Sequence, residues 1–261
     1  MIQRERATGQ GNWAELARGI LDPEMCTALS SLDLDLSPSP VTYHRGMDCY
    51  LKREDRGLFG THKSRGLLLQ ILTAGQPGCP GFVISSSGNA ALAAASLSRA
   101  LNHLCVIFLS HKTPYGKIEA VLETGMPTVV TPKPKNLSRY ASRFAGLIDL
   151  RPSKHPEGAT GYGLMAAEIA RERMEVSSIF CFCNSGLTLA GLYRGYRKLL
   201  AAGYLERIPQ IHAVQCSADV SFAEYLEVDP SPQESPVAGA LGAQSPFNQE
   251  EVAQVLKNTG G

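Results

Sequence analysis

The sequence predicts an α/β protein of two lobes, each a three-layer α/β/α arrangement built on mostly parallel strands. Three observations carry this. The chain has 261 residues, enough to bury a substantial core. Apolar runs of strand length alternate with helix-length segments of period near 3.6, and strands that alternate with helices imply parallel sheets with helices on both faces. A Pro- and Gly-rich stretch, "DLRPSKHPEGATGYG", breaks the alternation near residue 150.

Taken in order, residues 1–45, which include "DLSPSP", read as an arm packing on the larger lobe. Residues 46–150 form the smaller lobe. There "GFVISSS" is a strand before the helix "NAALAAASLSRALN", "LCVIFLS" precedes "GKIEAVLETG", and "PTVVTP" precedes "LSRYASRFAGL". Residues 151–261 form the larger lobe, where "GLMAAEIARERM" leads to the strand "SSIFCFC" and "LTLAGLYRGYRKLLAAG" to "PQIHAVQCS". The segment "EVDPSPQESPVAG" is a loop.

Composition narrows the function. Twenty-five basic residues face 24 acidic ones, so a net charge of +1 gives no electrostatic reason to expect nucleic acid. No apolar stretch approaches bilayer length and the start lacks a secretory core, which points to a soluble, cytoplasmic protein with no membrane partner. The seven cysteines are scattered without C-x-x-C pairing, as in a reducing compartment, and the six histidines share no metal spacing, so no metal is expected. Cys181 and Cys183 share one strand face. Lys52, Arg53, Glu54 and Asp55 read as a solvated strand end, and Trp13 and Tyr43 as packing residues.

In parallel sheets ligands gather where strands pass into helices, and two such loops stand out. "SSSGNAA" offers the hydroxyls of Ser85, Ser86 and Ser87, close backbone approach at Gly88, and helical amides able to take a carboxylate. An ordinary helix cap is its other reading. "CNSGLTLAG" places Asn184, Ser185, Gly186 and Thr188 where backbone N–H groups and a helix terminus suit a phosphate, and here too a capping turn is the alternative. It is neither a Walker loop nor a dinucleotide fingerprint. Upstream, "FGTHKSRG" sets Lys63 beside a small-residue turn. A lysine, a Ser-Gly-Asn loop and a phosphate cup are the parts that hold pyridoxal 5′-phosphate.

With these motifs assembled, the chain resembles the fold type II, tryptophan synthase β-like family of pyridoxal-phosphate enzymes, from about residue 40 onward. It looks most like threonine synthase. "YLKREDRGLFGTHKSRG" is similar to the family's lysine segment, "SSSGNAALAAA" to its substrate loop, and "EGATGYGLMAAEIA" to its Glu-Gly segment. "SGLTLAGLYRGYRKLLAAG" resembles the phosphate loop and its helix. The resemblance implies that Lys63 forms the Schiff base with the cofactor between the lobes and moves the Cα proton. It implies that Asn89 bonds the cofactor's 3′-oxygen, and that Ser86, Ser87, Gly88, Asn89 and Ala90 meet the substrate carboxylate. Asn184, Ser185, Gly186, Leu187 and Thr188 would hold the phosphate.

The sequence departs from the family at His62, where an aromatic is common, at Ser64, where Asp is common, and at Asn184 and Leu187, which replace glycines. Leu187 is expected to narrow the approach to the phosphate. Family members continue past "VLKNTGG" with a segment that closes the larger lobe and faces the pyridine nitrogen, so the chain is expected to be C-terminally short, homo-oligomeric and slow in turnover. The function expected is elimination or replacement on a small amino acid, phosphohomoserine to threonine. The alternatives are a serine/threonine dehydratase, a cysteine-synthase-like enzyme, or a catalytically impaired pyridoxal-phosphate-binding paralogue.

Overall fold

The computed structural model describes residues 17–86, 88–151, 153, 155–172, 175–215, 221–227 and 248–261. Trp13, Ser87 and nearly all of "EVDPSPQESPVAG" lie outside them.

Helix α1 (Pro23–Ser30) starts with proline in its first turn, and the carboxylate of Asp22 accepts the Met25 N–H at 2.8 Å. This segment touches both lobes. Leu29 and Leu36 lie in the smaller lobe's core, Ile20 lies in the larger lobe's, and the Lys198 ammonium donates to the Ile20 carbonyl at 2.6 Å. Strands β1 (Val41–His44) and β2 (Cys49–Lys52) then pair as an antiparallel hairpin.

The smaller lobe holds α2 (Lys63–Ala74), β3 (Phe82–Ser85), α3 (Asn89–Ala100), β4 (Cys105–Ser110), α4 (Tyr115–Leu122), β5 (Thr128–Thr131), α5 (Pro134–Ala145) and β6 (Ile148–Asp149). Its strands run parallel in the order β5-β4-β3-β6. Phe82, Val83 and Ile84 of β3 are all fully buried, the pattern of a strand covered on both faces. Five buried alanines on α3 face the same core.

The larger lobe contains α6 (Pro156–Arg171), β7 (Ser178–Phe182), α7 (Leu187–Ala201), β8 (Gln210–Val214), α8 (Ser221–Tyr225) and α9 (Gln249–Thr259). Here β7 and β8 are parallel and pair Phe180 with His212 and Phe182 with Val214. The lobes meet along α2, α6 and α7. A Cβ on Gly161 of α6 would stand 2.3 Å from the Arg65 carbonyl oxygen, and one on Gly191 of α7 would stand 2.2 Å from the Ala159 carbonyl oxygen. Only glycine lets these three backbones come so close.

A buried charge network crosses the same seam and corrects the solvated reading of Lys52 and Glu54. The Arg65 guanidinium, 1% exposed, donates to both Glu54 oxygens at 2.7 and 2.9 Å and to both Glu168 oxygens at 2.6 and 2.8 Å. Lys52 completes it, with Nζ 2.5 Å from Glu168 Oε2. Burial opposes charge on Arg65, but Glu168 and Glu54 outweigh it and hold the guanidinium protonated above its usual range. Arg53 and Asp55, by contrast, pair at the surface as expected.

Candidate active site

Lys63 is the first residue of α2. The turn before it contains Phe59 in the left-handed region, φ 53°, with its ring packed on the smaller lobe's core. A non-glycine residue in that region costs on the order of 1–3 kcal/mol and persists only where packing over-determines it. The Thr61 hydroxyl accepts the Lys63 N–H at 3.2 Å, which fixes the helix start.

The Lys63 side chain is half-buried, its Nζ 5.3 Å from the centroid of the Tyr162 ring. Burial lowers its pKa to about 8, with the Cys181 thiol on β7 opposing the shift. Cys181 is itself pushed up to about 11 by burial, so it remains a neutral thiol near pH 7. His62, whose ring lies 5.7 Å from that of Tyr162, falls well below its usual value through burial and through Lys63 and Arg65. Burial raises Tyr162 far above the ordinary phenol range, while the Thr188 side chain, near the hydroxyl but outside hydrogen-bonding geometry, pulls against it. Lys63 therefore sits among neutral groups, and a neutral amine near pH 8 is a nucleophile and a base.

The loop 184–188 joins β7 to α7. Gly186 takes φ 81°, and a Cβ there would lie 2.5 Å from Val252 Cγ2 and 3.2 Å from Phe222 Cζ. Asn248 braces the loop by donating from Nδ2 to the Ser185 carbonyl at 2.7 Å. Thr188 opens the helix beside Tyr162. Leu187, 2% exposed, packs into the larger lobe's core, which corrects the expectation that it narrows the cup.

The loop after β3 leads into α3, which packs against α2. Gly88 caps α3 with no side-chain hydrogen bond, and the Ser86 hydroxyl accepts the Gly88 N–H at 3.4 Å. Asn89 is exposed and Ala90 buried. Ser85 and Ser86 also line an open cavity of about 480 Å³. The structure thus gathers Lys63, Cys181, Tyr162 and Thr188 directly, and packs α3, which begins at Asn89, on the lysine-bearing α2. Tyr162 and the role of Cys181 escaped the sequence reading, although "EGATGYG" and the paired cysteines were conspicuous there.

These residues fit pyridoxal phosphate. The Oδ1 of Asn184 and the hydroxyl of Tyr162 are buried without a hydrogen-bond partner, which leaves polar valences at the phosphate loop and beside the lysine. The first amides of α7 have no intrahelical partner by position. Among the described residues no cluster of His, Cys, Asp and Glu could hold a metal ion, and no helix is long and apolar enough to cross a membrane.

Comparison with known proteins found relatives by sequence and by fold. The tomato (Solanum lycopersicum) protein named threonine dehydratase 2 biosynthetic, chloroplastic is 26% identical over 159 residues, 59% of this chain and 27% of that protein. The human serine dehydratase-like protein is 27% identical over 210 residues, 77% of this chain and 62% of that protein. The chain thus spans under a third of the plant dehydratase's length and under two thirds of the human protein's. The solved structure of the processed form of tomato threonine deaminase isoform 2 superposes with a TM-score of 0.73 at 21% identity, covering 97% of this chain and 71% of that one. Maize serine racemase gives 0.71 at 18% identity, covering 84% and 69%. Residues 34–261 match the profile described as pyridoxal-phosphate dependent enzyme, and the chain belongs to that family.

Proposed function

We propose that the protein catalyses a pyridoxal-phosphate dependent elimination on a small amino acid, of the dehydratase type. The expected closeness to threonine synthase gives way to the dehydratase alternative, because the relatives found by sequence are threonine and serine dehydratases. One observation carries the chemistry: Lys63, at the start of α2, has a pKa of about 8 and lies beside Tyr162 and Cys181, where β7 feeds the phosphate loop.

Bound pyridoxal phosphate supplies an electron sink for the pair left at the substrate Cα. Lys63 would hold the cofactor covalently and, as a neutral amine when free of it, would move the proton at the substrate Cα. The β-hydroxyl, protonated as it departs, would leave as water, and the unsaturated amine so formed, once released, would tautomerise to an imine and add water to give the 2-keto acid and ammonia. Asn184, Ser185, Gly186 and Thr188 would hold the phosphate, and Ser86, Gly88 and the Ala90 amide the substrate carboxylate. Asn89 would bond the ring oxygen.

The test is reconstitution with pyridoxal phosphate, borohydride fixation and peptide mapping, then assays of keto acid and ammonia from L-serine and L-threonine. A label on the Lys63 peptide with keto-acid release supports the reading. Phosphate release from phosphohomoserine without keto acid from either would restore the synthase. The Phe180 ring, 71% exposed on β7, supports self-association, which sedimentation reads.

A further inference from the structure

We propose that the cavity at the carboxyl ends of β3, β4 and β5 is an anion subsite for the substrate's side chain, so that the preferred substrates are small β-hydroxy amino acids that carry a further carboxylate or phosphate. This rests on the reading above, in which the loop containing Ser86 takes the α-carboxylate.

The cavity, about 480 Å³, is of the size that holds a small metabolite. Its lining is Ser85, Ser86, Ser110, Lys133, Lys135 and Asn136, with Pro132 and Pro134. Those residues include two lysines, three serines and an asparagine, with no acid among them. Elsewhere Lys52, Arg65, Arg151 and Arg194 each meet a carboxylate. Lys133 and Lys135 make no ion pair and no side-chain hydrogen bond among the described residues, and they stand two positions apart across Pro134. Two like charges held at one mouth without a counter-charge repel, and an anion between them removes that cost. The start of α5 adds no side-chain cap that would compete.

Position gives the cavity its use. Ligands of open parallel sheets bind outside the carboxyl ends of the strands, and Ser86 belongs both to this cavity and to the substrate loop. A substrate whose α-carboxylate meets that loop can direct a short side chain toward Lys133 and Lys135. Charge-assisted hydrogen bonds from lysine to carboxylate or phosphate are roughly twice as strong as neutral ones, so the isosteric neutral analogue should lose affinity.

The experiment is titration calorimetry on the pyridoxal-phosphate-loaded protein with L-aspartate against L-asparagine, and O-phospho-L-serine against L-serine. At least tenfold tighter binding of the charged member of either pair is expected, and which pair shows it separates carboxylate from phosphate. In the double variant Lys133→Met/Lys135→Met the ratio should fall to near one, with L-asparagine and L-serine unchanged. Both lysines are exposed, so the variant should fold like the parent. A ratio near one in the parent, or a tenfold ratio that survives in the variant, overturns the proposal. Cofactor loading is read separately by visible absorption: a chain that loads at Lys63 but shows no charge preference loses only the subsite. If no cofactor loads, the functional reading fails, and succinate binding to the unloaded protein decides the cavity. A tenfold loss in the double variant upholds the anion site, and no loss removes it.

Discussion

Arg65 and Glu168 meet in a two-pronged ion pair, 2.6 and 2.8 Å, across 103 positions of sequence. Arg65 lies two residues after Lys63 on α2, and Glu168 lies on α6 of the other lobe, so the pair fixes the lysine-bearing helix to the second half of the chain. Glu168→Gln preserves shape but leaves the guanidinium under-compensated. Removing one partner of a buried pair costs about 3–5 kcal/mol, and urea unfolding should show a loss of that order.

The amine of Lys63 sets a pH dependence. Above its pKa the side chain is neutral and can attack the cofactor's aldehyde; below it the ammonium cannot. With burial placing that pKa at about 8, the rate of covalent capture of pyridoxal phosphate should climb between pH 7 and 9 and then level off. An ordinary lysine would still be gaining near pH 10. Stopped-flow absorbance measures it, and a rate that keeps climbing past pH 9 would contradict the buried setting.

At Gly186 the left-handed backbone and the Val252 methyl group 2.5 Å from a Cβ position act together. Gly186→Ala should destabilise the fold by about 1–3 kcal/mol and weaken pyridoxal phosphate at least tenfold, as seen by cofactor titration alongside thermal melting.

Tyr162→Phe should raise stability by about 1 kcal/mol, because it deletes a buried hydroxyl without a partner while keeping the ring beside Lys63. A drop in melting temperature instead would mean that Thr188 bonds that hydroxyl.

The parallel strands, the helices after them and the loops at 85–90 and 184–188 were legible because each is written in contiguous periodicity and turn chemistry. Lys63 was legible through its small-residue turn. The burial of Lys52 and Glu54 was not, since "LKRED" reads as solvent-facing and its partners Arg65 and Glu168 are identified only by the fold. Likewise Leu187 read as an obstruction, and only the packing of α6 on α7 turns it inward. Lys133 and Lys135 carry no local signal at all; the ends of β3 and β4 give them a cavity.

The close backbone approach at Gly161 and Gly191 has a mechanical consequence. Helices that touch carbonyl to α-carbon cannot slide or tilt against one another without collision, so α2, α6 and α7 act as one stiff spine that carries Lys63, Tyr162 and Thr188 at fixed separation. Any closing of the protein over its substrate therefore has to come from parts hung on that spine.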